Sequence, residues 1–428
     1  MQVLATLAAA VGLSTLVAVQ DTAAPPERRE LEALTQEFFA LDHKDAAQHA
    51  RGVEILARVE SVPTLDARAR KKWDKAFAKL WSKGEKLPKE SGRHFLWEDE
   101  ERGLYYIGGN VKSPKGLVIG MHGGGVGSGD ASRPYNSLTS VAKDLGWVGI
   151  FPEVLEKTET GWTTSGTEEF VLELVERARR TWKIDADQVF FTGHSMGGYG
   201  TWTLGAHHAD LVAALAPSAG APTPVFGRSG GIDDVDYGVI PNLRNVPMVI
   251  YQSLDDRNVP PAANQAAVGQ LKKAQKKYGG YDFEYWEVDG RGHSPPPGGM
   301  KALLDKIKDH KREARPEKLL WQPVLPWKRQ FYWLFWETPE SKKLIEAELD
   351  RAANTVRIKA KHTKLRGLYI LADEDLFDFE RDIIVEKNGE EVFRGRVEPS
   401  LRVLLETGAT NDPGRTYTAR IPVTPDAK

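Results

Sequence analysis

Cysteine is absent from the 428-residue chain. Disulfides, thiol nucleophiles and a lipidated N-terminal cysteine are therefore excluded. Neither sign of charge is in excess: 58 Lys and Arg stand against 60 Asp and Glu, a formal net charge of −2. That balance gives no electrostatic case for nucleic acid or an anionic membrane surface as a partner. The ten histidines form no His-Glu-x-x-His pattern, so no metal site is expected. The acidic run Asp233 to Gly238 also falls short of a calcium loop, because its glycine comes one place early and no glutamate closes it. A long apolar run occurs only at Val3 to Val19, after which Gln20 to Pro26 turns polar. This is the pattern of a secretory signal segment ending within residues 18–24, although no Lys or Arg precedes the apolar stretch. The run is short for a membrane span. Export is the expectation, and a large exported chain without disulfides, held together by its core alone, suits a bacterial envelope or secreted protein.

What is present centres on Gly193-His194-Ser195-Met196-Gly197. The run follows the apolar Val189-Phe190-Phe191 and precedes a small-residue helical stretch, Tyr199 to Ala206. That is the strand–turn–helix setting of a nucleophile elbow, in which Ser195 would stand exposed beside a helix N-terminus. A hydroxyl nucleophile needs a base, and the base needs an orienting carboxylate. The strand-like Val246 to Tyr251 leads into Asp255-Asp256, and Phe283 to Val288 leads into Gly292-His293. Both candidates thus fall in loops just past strands, in the order Ser, Asp, His. His293, between a glycine and a proline run, is a poor fit for a core histidine.

A tetrahedral intermediate also needs backbone N–H donors for its oxyanion. The loop His122-Gly123-Gly124-Gly125, after the apolar Leu117-Val118-Ile119, offers Gly124, with Gly125 as the alternative. The second donor would be the amide of Met196, one residue past the nucleophile. The same loop lacks the G-x-G-x-x-G spacing and the Walker lysine of a phosphate-binding loop.

With these pieces in place, residues 93–315 resemble an α/β-hydrolase of the kind shared by prolyl-oligopeptidase-type catalytic domains, dienelactone hydrolases and polyhydroxybutyrate-depolymerase-like esterases. The resemblance covers about half the chain and implies ester or amide hydrolysis by a Ser195–His293–Asp256 triad without a cofactor. It places the acid three residues before the pair Val259-Pro260, at Asp256. Asp255 would then be a loop residue, facing solvent or capping a backbone N–H. The substrate is not fixed by it, since one scaffold hosts many chemistries.

The expected fold class is α/β: a mostly parallel sheet with helices on both faces, flanked by an N-terminal helical extension and a small C-terminal all-β sandwich. The segments are a signal peptide over 1–24, the helical extension over 25–92, the hydrolase over 93–315, a proline-marked linker over 316–327 and the β-sandwich over 328–428. In the extension, Leu31, Leu34, Phe38 and Leu41 make one amphipathic face, and Thr64 is the expected N-cap of a second helix carrying Trp73, Phe77, Leu80 and Trp81. The extension is expected to dock on the hydrolase. Strands alternating with helices from residue 117 onward imply βαβ units. Residues 219–240, rich in glycine and proline, are the candidate for shaping substrate access, and Trp162 is the candidate substrate-binding aromatic, with a packing role the equal alternative. After residue 328 the period becomes two, and Asn388-Gly389 marks a hairpin. The aromatic run Phe331 to Trp336 is expected to form an inter-domain seam in preference to a sugar-stacking surface.

The leading expectation is an exported serine hydrolase acting on a small-molecule or carbohydrate-linked ester. The first rival is a prolyl-oligopeptidase-type peptidase, weakened because only a short helical pattern, without repeated blades, precedes the hydrolase. The second is a non-catalytic carbohydrate-binding or envelope protein.

Overall fold

The computed structural model describes residues 25–42, 45–361 and 365–423, so the expected signal segment 1–24 lies outside the described residues. Eight strands form the central sheet: β1 (Gly92–Trp97), β2 (Arg102–Gly109), β3 (Gly116–Met121), β4 (Trp147–Pro152), β5 (Val189–His194), β6 (Ala214–Ser218), β7 (Met248–Ser253) and β8 (Phe283–Val288). Their order is β1-β2-β4-β3-β5-β6-β7-β8. Only the β1–β2 and β2–β4 pairings are antiparallel. The others, from β4–β3 to β7–β8, run parallel.

Strand side chains alternate between faces, and the residues sort accordingly. Leu117, Ile119, Ile150, Phe191 and Ile250 join one core cluster, while Val118, Phe151, Phe190 and Tyr251 join another. Helices α4 (Ser132–Asp144) and α8 (Gly299–Asp305) cover the second face, with Leu138, Val141, Leu303 and Leu304. Helices α5 (Thr167–Trp182), α6 (Met196–His207) and α7 (Ala262–Tyr278) cover the first, with Phe170, Leu174, Trp202 and Leu271. Interior strands buried on both sides explain the unbroken apolar runs read from the sequence.

The C-terminal region holds a five-stranded and a four-stranded sheet. One pair in the larger sheet, Thr355–Lys359 with Ile383–Lys387, is parallel, so the region is not purely antiparallel. Asn388 and Gly389 turn the expected hairpin with φ 53° and 89°. Lys318–Trp321, read as linker, is a strand of the five-stranded sheet with Leu319, Leu320 and Trp321 buried. The prolines bracket this apolar strand instead of marking a free tether. Trp321 stacks on Phe331 of the other sheet, with ring centroids 5.6 Å apart. The run from Phe331 to Trp336 is buried throughout, and the Tyr332 hydroxyl donates to the carbonyl of Ala209, just past α6 of the central-sheet domain (2.8 Å).

The N-terminal helices α1 (Arg28–Ala40), α2 (Ala46–Val59) and α3 (Ala67–Trp81) correct another expectation. Their apolar faces, with Leu31, Phe38, Ile55, Val59 and Phe77, meet Leu401, Leu404 and Leu405 of α9 (Leu401–Gly408) in the C-terminal region. The N-terminal segment also meets the central-sheet domain through polar contacts, such as Trp81 Nε1 on Glu176 and Arg180 on the carbonyl of Glu85. Helix α9 carries a narrow leucine stripe at i, i+3 and i+4, too short to stand out in the sequence as a docking face. Asp66, and not Thr64, caps α3 by accepting the N–H of Ala69; the Thr64 hydroxyl turns to Glu398.

Buried ion pairs bind the central-sheet domain to the C-terminal region. Arg312 donates to both oxygens of Asp412 (2.8 and 2.6 Å), and both side chains are about fully inaccessible. Burial by itself would raise the Asp412 pKa, but the Arg312 hydrogen bonds and charge prevail and hold it at about 2. Asp412→Ala is expected to destabilise the protein by about 3 kcal/mol in urea titrations, because Arg312 keeps Asp187 but loses its buried partner. A carboxylate with a depressed folded-state pKa contributes fully above the unfolded value of about 3.9. The wild-type advantage over the variant should therefore be constant near neutrality and vanish as pH falls towards about 2.

Candidate active site

Ser195 lies between β5 and α6 with φ 63° and ψ −125°. A non-glycine residue in such a region stores on the order of 1–3 kcal/mol of strain, and its surroundings must hold it there. A Cβ on Gly193 would come within 2.4 Å of the Gly197 carbonyl oxygen, and one on Gly197 within 2.1 Å of the Met121 carbonyl oxygen. Only glycine lets β5, α6 and the end of β3 approach this closely. The Ser195 N–H donates to the Ser218 carbonyl at the end of β6 (2.9 Å), which ties the turn to the neighbouring strand.

His293, on the loop after β8, places Nε2 2.9 Å from Ser195 Oγ and Nδ1 2.8 Å from Asp256 Oδ2. A carboxylate facing Nδ1 accepts its hydrogen, which leaves the Nε2 lone pair directed at the serine hydroxyl. Asp256 Oδ1 accepts the N–H groups of Asn258 and Val259, both at 2.9 Å. The Asp256 side chain has no accessible surface, while His293 retains 21%. The acid is thus shielded from water and the imidazole can be reached from solvent. Asp255 faces the other way. Its Oδ1 accepts from Ser253 Oγ (2.6 Å) and from the backbone N–H groups of Arg291 (3.1 Å) and Gly292 (2.8 Å). These bonds, the Ser253 hydroxyl foremost, hold its carboxyl below the usual range.

Two further amides, of Met196 and Gly124, are the expected oxyanion donors. Met196 opens α6, where the first N–H groups have no partner within the helix. On the opposite side, His122 Nε2 accepts the N–H of Val154 (3.1 Å), so Nδ1 carries the hydrogen and donates to the Gly123 carbonyl (2.9 Å). Burial keeps His122 neutral by lowering its pKa. Because a peptide is planar and trans, fixing the Gly123 carbonyl towards His122 turns the Gly124 N–H away from that ring. Gly124 is exposed, and Gly125 pairs with Ser128 in a short hairpin. Gly123 approaches Ser195 very closely: a Cβ there would stand 3.0 Å from Ser195 Cβ and 3.7 Å from Oγ. The sequence includes His122 and Gly123 in the glycine loop without assigning either a role of its own.

Trp162 does not join this group. It is fully buried, donates from Nε1 to the His122 carbonyl (3.2 Å), and packs its ring 5.1 Å from the His122 ring. The assignment as a substrate-binding residue is therefore corrected: Trp162 supports the glycine loop from below. Its burial and its bonded indole N–H fit the packing role that the sequence left open beside the substrate-binding one.

The mostly parallel sheet clad by helices on both faces has the architecture of an α/β-hydrolase fold, and it carries Ser195 on the turn after β5, Asp256 after β7 and His293 after β8. No protein-family model matches the chain. Among curated proteins it is similar to a bifunctional acetylxylan esterase/xylanase of Neocallimastix patriciarum, 25% identical over 223 residues, covering 47% of this chain and 32% of that protein. The chain thus spans about a third of the length of that relative. Similar solved structures include an acetyl xylan esterase from Aspergillus awamori (16% identity, 51% of this chain and 98% of that one, TM-score 0.37). A ferulic acid esterase from Anaeromyces mucronatus is another (17% identity, 52% and 89%, TM-score 0.38).

Trp162→Ala should destabilise the protein by about 3–5 kcal/mol, the usual result of deleting a buried tryptophan. Thermal and urea unfolding would reveal it. A variant with wild-type stability and only a raised KM would return Trp162 to the substrate surface.

Proposed function

We propose that this chain is an exported serine hydrolase that cleaves carboxylic esters. The observation that carries the reading is the unbroken hydrogen-bond chain Ser195 Oγ–His293 Nε2 and His293 Nδ1–Asp256 Oδ2, at 2.9 and 2.8 Å, ending on a strained serine. In this reading Ser195 Oγ attacks the ester carbonyl and His293 Nε2 takes its proton. Asp256 stabilises the imidazolium through Nδ1. The amides of Met196 and Gly124, or Gly125 in its place, bind the oxyanion. Collapse of the tetrahedral intermediate expels the alcohol, which leaves with the proton from His293. A water activated by the same imidazole then hydrolyses the acyl-enzyme. No step requires a cofactor.

For the substrate we propose small-molecule or carbohydrate-linked esters with small acyl groups. The name of the curated relative supports this class, and so does the segment we assign to substrate access. Residues 219–240 emerge directly beside the nucleophile, where a Cβ on Gly220 would stand 2.1 Å from the Ser195 carbonyl oxygen. They build a hairpin, Pro224–Phe226 with Ile232–Val235, on which Val225 and Phe226 are 44% and 65% exposed. Export rests on the apolar Val3–Val19 run. Among the described residues no helix is long and apolar enough to cross a membrane.

Ser195→Ala should abolish hydrolysis of short p-nitrophenyl, acetylated-sugar and feruloyl esters, with kcat falling about 10⁴- to 10⁶-fold, along with fluorophosphonate labelling. Labelling that persists at another serine would refute the assignment. Prolyl peptide cleavage with a kcat/KM above that of every ester would make the protein a peptidase.

Of the two adjacent acids, Asp256→Asn should lower kcat by about 10⁴, because an amide opposite Nδ1 holds the imidazole in the wrong tautomer. Asp255→Asn keeps an acceptor for the Arg291 and Gly292 amides and should lower it by less than about tenfold. Steady-state kinetics of the two variants side by side would decide, and the reverse ranking would move the acid to Asp255.

A further inference from the structure

His194, the residue before the nucleophile, has no part in the chemistry described so far, yet its imidazole is bonded at both nitrogens. Nε2 lies 3.3 Å from the backbone carbonyl oxygen of His293. A carbonyl can only accept, so this nitrogen carries the hydrogen. Nδ1 is then an acceptor, and it lies 3.0 Å from Ser218 Oγ, whose hydroxyl donates to it. Ser218 is fully buried and its carbonyl accepts the N–H of Ser195. These contacts close a circuit: Ser195 N–H to the Ser218 carbonyl, Ser218 Oγ–H to His194, His194 to the His293 carbonyl, and His293 Nε2 back to Ser195 Oγ.

The circuit matters because the loop that carries His293 has no regular structure and is held by side-chain hydrogen bonds. Among them, Ser253 Oγ accepts the Arg291 N–H and the Arg291 guanidinium donates to the Pro295 carbonyl. Gly292, just before it, has φ 51°, and no helix or strand spans residues 289–298. Asp255 holds the two backbone N–H groups on one side of His293, at Arg291 and Gly292. His194 holds the carbonyl on the other. The two rings lie 4.8 Å apart, tilted by 43°.

We infer that His194 is a positioning residue that sets the distance between base and nucleophile by clamping the main chain of His293 to the main chain of Ser195 through Ser218. The inference rests on the proposed roles of Ser195 and His293. Burial first, then the neighbouring His293, lowers the His194 pKa to about 4, against the opposing hydrogen bond to the His293 carbonyl and the charge of Asp256. The clamp therefore stays in its neutral, one-donor and one-acceptor form across the neutral range. Displacing a catalytic group by about an ångström can cost about a hundredfold in rate, and that sets the expected scale.

The test compares His194→Leu, His194→Gln, Ser218→Ala and Ser195→Ala by ester kinetics, fluorophosphonate labelling rate and thermal unfolding. His194→Leu should lower kcat and the labelling rate together by about ten- to a hundredfold, with KM within twofold. His194→Gln, whose Nε2 can still donate to the His293 carbonyl, should recover most of that loss. Ser218→Ala removes one hydroxyl and should lower kcat several-fold without changing Tm, which keeps the inference testable if the leucine variant folds poorly. Wild-type kcat in both folded His194→Leu and Ser218→Ala would overturn the clamp, as would a glutamine variant no better than leucine at equal Tm. If Ser195→Ala itself stays active, it is the triad reading that fails.

Discussion

Everything at the candidate site depends on the backbone of Ser195. A serine does not rest at φ 63° and ψ −125° by preference, and three strands contribute to keeping it there. β3 lies against Gly197, β5 delivers the turn through Gly193, and β6 accepts the serine N–H through Ser218. The strain orients Oγ out of the turn and, in the same stroke, leaves the Met196 amide at the head of a helix. The parallel sheet serves as the jig: its register places the ends of β3, β5, β6, β7 and β8 along one edge, and every candidate group sits within a few residues of that edge.

The polar architecture around the triad works by fixing main chain as much as side chain. Asp255 holds two amides of the histidine loop, His122 holds the carbonyl of Gly123, and Asp256 accepts two amides of its own loop as well as the imidazole. Loops between strands and helices are ordinarily the mobile part of this fold. Here, charged and imidazole side chains bonded to backbone groups give them the definition that secondary structure does not. Pre-organised loops of this kind need no rearrangement at the moment of reaction, which is where electrostatic stabilisation gains its advantage.

The alternation of apolar runs with helical periods made the central sheet legible, and the elbow, the glycine loop and the two post-strand acids and histidine could be read from spacing alone. Local rules failed where the outcome is set by partners distant in sequence. Lys318–Trp321 looked like a linker because prolines flank it, yet pairing with Ile345–Asp350 makes it a strand. For Trp162 the sequence left packing and substrate contact equally open, and only the tertiary structure places it beneath His122. The N-terminal helices were identified from their stripes, but an amphipathic face says that it will be covered without saying by what. His194 was hidden by its own motif, since attention to the serine treats its neighbours as spacers.

The packing of α1, α2 and α3 on α9 also has a consequence for how the chain comes off the ribosome. The helices are complete once Trp81 has been synthesised, but their leucine partners begin at Leu401. At elongation rates of about 5–20 residues per second, that interval lasts on the order of 15–60 s. For that time Leu31, Phe38, Ile55 and Phe77 wait with an uncovered apolar face while the hydrolase is made between them and their destination. The last helix closes the first, so the molecule behaves as a clasp fastened after its contents are in place. Nascent chains arrested before Leu401 would carry a sticky N-terminal end and a finished central sheet at once.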